Sequence, residues 1–265
     1  MKTILLLVHD DPGQEARLQA ALDVTRAFEG HLVCLDVALM PVVMGDFYAV
    51  AGTVDLLAEE SATETINRAK LEARFASEDV PWSMIDMTDP LIPSLKRAAG
   101  LADLIVVNRH IDAFPVPDMR SAVGEIVLAS GRPVLAVPQD TRGIDVGGRA
   151  LMCWDGSAPA HAALQAAVPF LQRASDVDLI ELGDRQAAVP IEDAAAYLSR
   201  YDIHAQISRR PGVRHVADAI LAQASSGYAY VVMGGFNHSR FREALFGGVT
   251  RTMLDNSPVP LLLAH

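Results

Sequence analysis

The chain contains the same pattern of segments twice, and this repetition limits the folds open to it. In residues 1–140 and again in residues 147–265, five apolar segments of strand length alternate with segments of helical character. Repetition on this scale indicates a duplicated domain of about 120–140 residues. The segment between the copies, 139–148, is polar and rich in glycine, as expected for a domain boundary.

Two segments of the copies can be aligned residue by residue. Ile4–Asp10 aligns on Arg149–Asp155, and Ile105–Asn108 aligns on Val231–Gly234. The two ranges 1–140 and 147–265 are therefore predicted to be domains of the same fold, although the first copy is longer.

The alternation of strands and helices predicts an α/β fold in each copy, with a parallel sheet and right-handed crossovers. The strands are almost entirely apolar, which is typical of strands covered by helices on both faces. The predicted strands are Ile4–Val8, His31–Val37, Pro81–Asp86, Leu104–Val107, Pro133–Val137, Ala150–Trp154, Val177–Leu182, Ile203–Ile207, Ala229–Met233 and Val259–Ala264. The predicted helices span 14–28, 54–79, 90–99, 119–130, 158–173, 191–201, 212–226 and 247–256.

Composition excludes several classes of partner. The formal net charge of -11 argues against a general binder of nucleic acid or of anionic membranes, since both would be repelled. No apolar run is long enough to span a bilayer, and the run Ile4–Val8 ends without a cleavage site, so it reads as a strand and not as a signal peptide. Cys34 and Cys153 show neither metal-ligand spacing nor a disulfide pattern, which favours a cytoplasmic location.

Candidate binding residues follow the strands of the second copy. In open α/β sheets, ligands bind beyond the carboxyl ends of the strands. Asp155 follows the first strand and can accept hydrogen bonds from ribose hydroxyls, while Gly234-Gly235 follow the fourth strand and let a ligand approach the backbone. The last predicted helix starts near Gly247, where free N–H groups and the helix dipole favour a phosphate. Thr250 adds a hydroxyl there, and the local positive charge comes from His238, Arg240, Arg242 and Arg251.

With these features the sequence resembles a tandem universal stress protein, with two domains of that family in one chain. Members carry an aspartate after the first strand, followed by a small polar turn, as in Asp155-Gly156-Ser157. They also carry a glycine, two residues, a second glycine, nine residues, and a glycine followed by Ser or Thr. Here Gly234, Asn237, Gly247 and Gly248 keep that spacing, with Asn237 in place of the second glycine and Gly248 in place of Ser or Thr.

The resemblance implies a fold and a ligand. Each domain is expected to be Rossmann-like or flavodoxin-like, with a five-stranded parallel sheet in the order 3-2-1-4-5, and the two last strands should pair across a pseudo-two-fold axis. A subset of the family binds ATP, so the expected cofactor is ATP or another adenine nucleotide, with or without Mg²⁺. By the family's pattern, the adenosine side is lined by Cys153, Asp155, Leu182 and Met233, and the phosphates are surrounded by Gly234, Asn237, Gly247, Gly248, Val249 and Thr250.

The two departures predict weakened binding. Asparagine is the residue other than glycine that best tolerates a positive φ, so Asn237 is compatible with the turn. The hydroxyl missing at Gly248 corresponds to a neutral hydrogen bond of about 0.5–1.5 kcal/mol, or roughly tenfold in affinity at most.

The first copy departs further and is expected to bind no nucleotide in the family's manner. Its corresponding positions are Asn108, Ile111, Ser121 and Ala122, and β-branched Ile111 resists the positive φ of a glycine turn. Two prolines stiffen the segment 113–118. Asp10 is aligned with Asp155 and is retained.

The sequence thus predicts a cytoplasmic stress-response protein whose C-terminal domain binds a nucleotide as a regulatory ligand. No catalytic set and no metal site is recognisable, so no enzymatic activity beyond slow ATP hydrolysis is expected. One alternative is a nucleotide-free scaffold in which Asp155 and the glycines serve only turns and packing and the segment 40–53 contacts a protein partner. Another is a small-molecule site in the N-terminal domain. Pairing of whole chains into a homodimer is compatible with the sequence.

Overall fold

A single sheet runs through both halves of the chain. The computed structural model describes residues 1–37, 65–87, 90–109, 119–184, 187–236 and 248–265. Within these residues the strands are β1 (Thr3–Val8), β2 (His31–Val37), β3 (Trp82–Met87), β4 (Leu104–Asn108), β5 (Val134–Val137), β6 (Ala150–Trp154), β7 (Val177–Leu182), β8 (Ala205–Arg210), β9 (Tyr230–Gly234) and β10 (Leu261–Ala264). They form a ten-stranded sheet in the order β3-β2-β1-β4-β5-β10-β9-β6-β7-β8.

The order confirms the predicted fold class. Counted from its outer edge, each half of the sheet has the order 3-2-1-4-5, and all strand pairs within a half are parallel. The halves meet where β5 and β10 pair in antiparallel fashion, with Leu135 opposite Leu262. We call this β5–β10 pairing the seam; it is the predicted contact between the two final strands.

Helices cover both faces of the sheet. Their bounds are α1 (Gln14–Phe28), α2 (65–75), α3 (Leu91–Ala98), α4 (Met119–Ser130), α5 (Ala158–Leu171), α6 (Ile191–Ser199), α7 (Val216–Ala224) and α8 (Gly248–Asn256). Helices α1, α2, α5 and α6 bury their apolar residues in one core, and α3, α4, α7 and α8 bury theirs in a second core on the opposite face. The central strands lie between two apolar layers, which explains why they are almost entirely apolar.

Some predicted boundaries are wrong by a few residues. Strand β8, expected to end at Ile207, continues to Arg210. It is an edge strand, where charged side chains are tolerated, and Arg209 pairs there with Glu181 at 3.0 Å. Helix α7 starts later than expected because Gly212 makes a turn with a φ of +75° before it. The first part of the helix predicted over 54–79 lies outside the described residues.

The strand pairing corrects the predicted alignment of the two copies by one residue. Ile4 pairs with Leu104 in the first half, and Ala150 pairs with Tyr230 in the second. Leu104 and Tyr230 are equivalent in the alignment of the fourth strands, so Ile4 is equivalent to Ala150 and not to Arg149. A strand that is apolar on both faces has no alternation that would fix its register in a sequence comparison.

This shift changes which residue stands opposite Asp155. His9, not Asp10, occupies the equivalent position at the end of the first strand. Asp10 is exposed, with one carboxylate oxygen 4.0 Å from Lys70 Nζ. The predicted alignment of Asp10 with Asp155 is therefore wrong by one residue.

Two further observations concern the chain's class. No described helix combines the length and the apolar character that a bilayer crossing requires. Cys34 is buried and Cys153 is partly buried, and both are free thiols.

Candidate ligand cavity in the second half of the sheet

A cavity of about 280 Å³ lies at the carboxyl ends of β6, β7 and β9, on the side of the sheet covered by α7 and α8. Most of its wall is apolar, and the polar groups come from the turn after β6 and from the start of α8. It is lined by Cys153, Trp154, Asp155, Ser157, Pro159, Ala160, Ile180, Leu182, Val216, Ile220, Met233, Gly234, Phe236, Gly248, Val249 and Thr250.

Every predicted site residue that the structure describes lines this cavity. They are Cys153, Asp155, Leu182, Met233, Gly234, Gly248, Val249 and Thr250. Asn237 and Gly247 lie outside the described residues, as do His238, Arg240 and Arg242. Arg251 is exposed on α8 and is not part of the cavity wall.

Asp155 has one structural hydrogen bond and one free oxygen. Its Oδ1 accepts a hydrogen bond from the Ser157 N–H at 3.0 Å, and Ser157 caps α5 by accepting from the Ala160 N–H at 3.3 Å. The second carboxylate oxygen of Asp155 has no partner among the described residues, and the side chain is exposed at the mouth of the cavity. Asp155 therefore stabilises the turn and still offers an acceptor to a ligand.

Gly234 is required by the packing of α5. A Cβ atom on Gly234 would lie 2.5 Å from Ala160 N and 2.6 Å from Pro159 C, distances that no real side chain tolerates. The close contact brings the first turn of α5 to the cavity wall. Gly235 differs, because a Cβ atom there would lie 3.8 Å from its nearest neighbour, Ala264 O.

Sequence reasoning missed several residues that shape the apolar wall, among them Phe236, Val216 and Ile220. Phe236 is buried and has a φ of 59°, a strained conformation for a bulky residue, and no pattern in the sequence marks it. The left-handed turn was expected at Asn237, outside the described residues. Val216 and Ile220 lie four residues apart on α7, and this spacing on a predicted helix was a usable signal.

The start of α8 supplies hydrogen-bond donors to the cavity. Gly248 is its first described residue, no described residue occupies the space where a side chain would be, and Val249 follows in the wall. Thr250 is only 6% exposed, and its hydroxyl makes no hydrogen bond within the described part of the chain. The N–H groups that a helix start presents in general, the helix dipole and this hydroxyl together favour an anion.

Cys153 contributes an uncharged wall. Burial, and secondly the charge of Asp155, raise the pKa of the Cys153 thiol to about 12. The thiol is therefore protonated at neutral pH and contributes apolar surface.

The equivalent strand ends of the first half are occupied by an internal network, which we call the Arg17 network. The guanidinium of Arg17 is fully buried and ion-paired to the buried carboxylate of Asp11 at 2.6 Å. It also donates to the carbonyls of Leu7 and His9, both at 2.7 Å, and to Oδ1 of Asn108. Asn108 stands at the position equivalent to Gly234, so polar side chains fill this region of the first half.

The other first-half predictions are covered only in part. Ala122 is buried on α4, whereas Ile111, the prolines of 113–118 and the side chain of Ser121 lie outside the described residues. The segment 40–53, predicted to contact a partner or cover a small-molecule site, also lies outside them. The expectation that the first half binds no nucleotide stays a prediction.

Comparison with known proteins supports the fold. No protein-family model matches this sequence, and no curated protein matches it. Among solved structures, a universal stress protein from Archaeoglobus fulgidus is similar with a TM-score of 0.75 and 15% identity, over 99% of this chain and 95% of that one. A functionally unknown protein from Pseudomonas aeruginosa PAO1 is similar with a TM-score of 0.60 and 17% identity, over 100% of this chain and 92% of that one. The chain shares this fold over both halves, as the resemblance implied.

Proposed function

We propose that the cavity of the second half binds an adenine nucleotide, with ATP as the first candidate, as the regulatory ligand of a cytoplasmic tandem universal stress protein. The proposal depends on one observation: the described residues that the family's nucleotide motif marks, which come from four separate segments of the sequence, all line the same cavity. The likeness in fold and the two free thiols are compatible with it.

Each part of the nucleotide has a suitable surface in the cavity. Ile180, Leu182 and Met233 offer apolar contact for an adenine ring, and the free oxygen of Asp155 can accept hydrogen bonds from ribose hydroxyls. The first turn of α8 with Thr250 can donate to phosphates. A Mg²⁺ ion would be held mainly by the phosphates, as is usual for nucleotide sites.

We expect Asp155→Asn and Asp155→Ala to weaken ATP binding by about 10–100-fold each, since a hydrogen bond to a charged group is worth about 1.5–3 kcal/mol. Calorimetric titration with ATP, ADP and AMP measures the effect. The asparagine keeps an oxygen for the Ser157 N–H, so it separates the loss of the carboxylate from the loss of the turn.

The control for this experiment is Asp10→Ala, which removes an exposed carboxylate from the first half. It should leave the dissociation constant unchanged. An absence of heat with the unmodified protein at millimolar nucleotide would refute the proposed function. If Asp155→Ala weakens ATP binding and Asp155→Asn does not, Asp155 contributes to binding only by stabilising the turn.

Gly248→Ser should strengthen ATP binding by up to roughly tenfold, because it restores a hydroxyl worth about 0.5–1.5 kcal/mol. Among the described residues the substitution has room, since none of their atoms lies within 4 Å of a Cβ at this position. Gly248→Ala is the matched control, because it adds the same Cβ without the hydroxyl. Equal affinities of the serine and alanine variants would contradict a phosphate contact at this position.

One observation favours a second candidate, the nucleotide-free scaffold. Gly234 is fully explained by its contact with Pro159 and Ala160, so at least this motif residue has a structural reason that involves no ligand. If the protein is a nucleotide-free scaffold, titration should detect no nucleotide binding by the unmodified protein. The Asp155 and Gly248 variants should then show no binding either.

A further inference from the structure

Arg109 links the two halves of the molecule at a point away from the cavity. It follows β4 at the carboxyl edge of the first half of the sheet. Its Nη1 donates a hydrogen bond of 2.8 Å to the carbonyl oxygen of Leu254, which belongs to α8 of the second half. The first turn of the same helix lines the cavity.

The Leu254 carbonyl needs an external donor. It lies in the last turn of α8, where carbonyls have no partner within the helix. The residue four positions on, which would otherwise donate, is Pro258 and has no N–H. The N–H of Ser257 is used by Met253 O at 2.9 Å. Arg109 thus supplies a hydrogen bond that the local chain is unable to make.

The residue equivalent to Arg109 in the second half makes no such link. Arg109 N donates to Val137 O at 3.1 Å, and Gly235 N donates to Ala264 O at 2.9 Å, so Arg109 and Gly235 occupy equivalent places in the two halves. Gly235 has no side chain and gives no such bond to α4. The first half therefore holds the helix of the second half without a return contact of this kind.

The side chain of Arg109 has few stabilising contacts at this position. Its Nε is buried without a hydrogen-bond partner among the described residues, and its side chain makes no other hydrogen bond there than the one to Leu254. Burial lowers the pKa of Arg109, although the charges of Asp255 and Asp140 oppose this. Burying a charged group with few partners is unfavourable. The buried position of Arg109 is therefore better explained by its hydrogen bond to the Leu254 carbonyl.

We propose that Arg109 is a positioning residue that fixes α8 and thereby keeps Gly248, Val249 and Thr250 in the cavity wall. Helix α8 has 9 residues, and one that long extends about 13 Å, so both ends belong to a single short rigid element. The inference rests on the proposed function only for the identity of the ligand.

Amide hydrogen exchange tests the positioning without any ligand. The amides of Thr252, Met253 and Leu254 bond to the carbonyls of residues 248–250 in an α-helix, so their exchange reports the opening of the cavity-lining turn. Arg109→Met should accelerate this exchange roughly tenfold or more, because it removes a hydrogen bond from a charged donor. Arg109→Lys should restore most of the protection.

Arg132→Met is the matched control. Arg132 also donates to a backbone carbonyl, from Nη2 to Gly100 O at 2.8 Å, but this bond lies within the first half. It should leave exchange in α8 unchanged. The proposal is overturned if Arg109→Met leaves α8 exchange unchanged, or if it accelerates exchange equally in every helix.

ATP titration of the same variants provides the second readout. The dissociation constant should rise in Arg109→Met, because a displaced first turn of α8 donates less well to the ligand, and Arg132→Met should bind like the unmodified protein. Faster exchange with unchanged affinity would also overturn the positioning role. If the unmodified protein binds no ATP, the proposed function fails, and the exchange data alone decide on Arg109.

Discussion

Arg17→Met should lower the free energy of unfolding by about 3–5 kcal/mol, the range for breaking a buried ion pair from one side. The substitution keeps most of the volume but leaves the buried carboxylate of Asp11 without a cation. It also removes the donors that Leu7 O and His9 O use. Urea unfolding of the purified variant measures the loss.

Arg26→Met serves as the control on the same helix. Arg26 pairs with Asp23, Glu78 and Asp79 but remains 34% exposed, so its loss should cost at most about 1 kcal/mol. Adding Asp11→Asn to Arg17→Met should recover part of the stability, because it removes the uncompensated charge and keeps an acceptor for Gly13 N. Equal losses for Arg17→Met and Arg26→Met would show that the Arg17 network has no special structural weight.

Gly234→Ala should destabilise the protein by about 1–3 kcal/mol, as expected for overpacking. The added Cβ meets backbone atoms of Pro159 and Ala160, which move only if α5 shifts as a whole. Because α5 begins at the cavity, ATP affinity should fall together with stability. Thermal unfolding and calorimetric titration of the same variant measure both effects.

The neighbouring glycine provides the contrast. Gly235→Ala should change stability by less than about 0.5 kcal/mol, because the new Cβ would make only ordinary contacts, at 3.8 Å and 3.9 Å. A loss for Gly235→Ala as large as that for Gly234→Ala would mean that close packing of α5 is not the reason for the glycine at 234.

The sequence was sufficient for the α/β class and for many element bounds because its strongest signals are local and repeated, whereas the strand order came from the resemblance to the family. Helix α1 and strands β2, β6 and β7 have the bounds predicted from their apolar patterns. Ser157 caps α5, and Gly227 after α7 has a φ of 92°, as is usual for serine before a helix and glycine after one. These features depend on a few neighbouring residues, which a single sequence contains in full.

Features set by contacts between distant segments could not be predicted in this way. The register between the copies was misplaced by one residue, because β1 and β6 lack a polar face. Nothing in the sequence marks Arg17 as buried, since arginine is almost never fully buried unless it is paired. For Gly234 the position in the cavity was predicted, but its reason, the approach of α5, required coordinates.

The candidate site shows the same division. Asp155 was placed by the rule that ligands bind beyond strand ends, and Leu182 and Met233 were placed by the resemblance to the family's pattern. The sequence did not predict the role of Phe236 or the link from Arg109 to Leu254. The first depends on a strained backbone, and the second joins residues far apart in the chain.

The seam has a consequence for the behaviour of the protein in dilute solution. A dimer of separate chains exchanges subunits and dissociates as its concentration falls. Here β5 and β10 belong to the same chain, so their pairing is intramolecular and has a fixed effective concentration. Dilution therefore leaves the contact in place. Every molecule also pairs one first half with one second half, and mixing with other chains does not change this pairing.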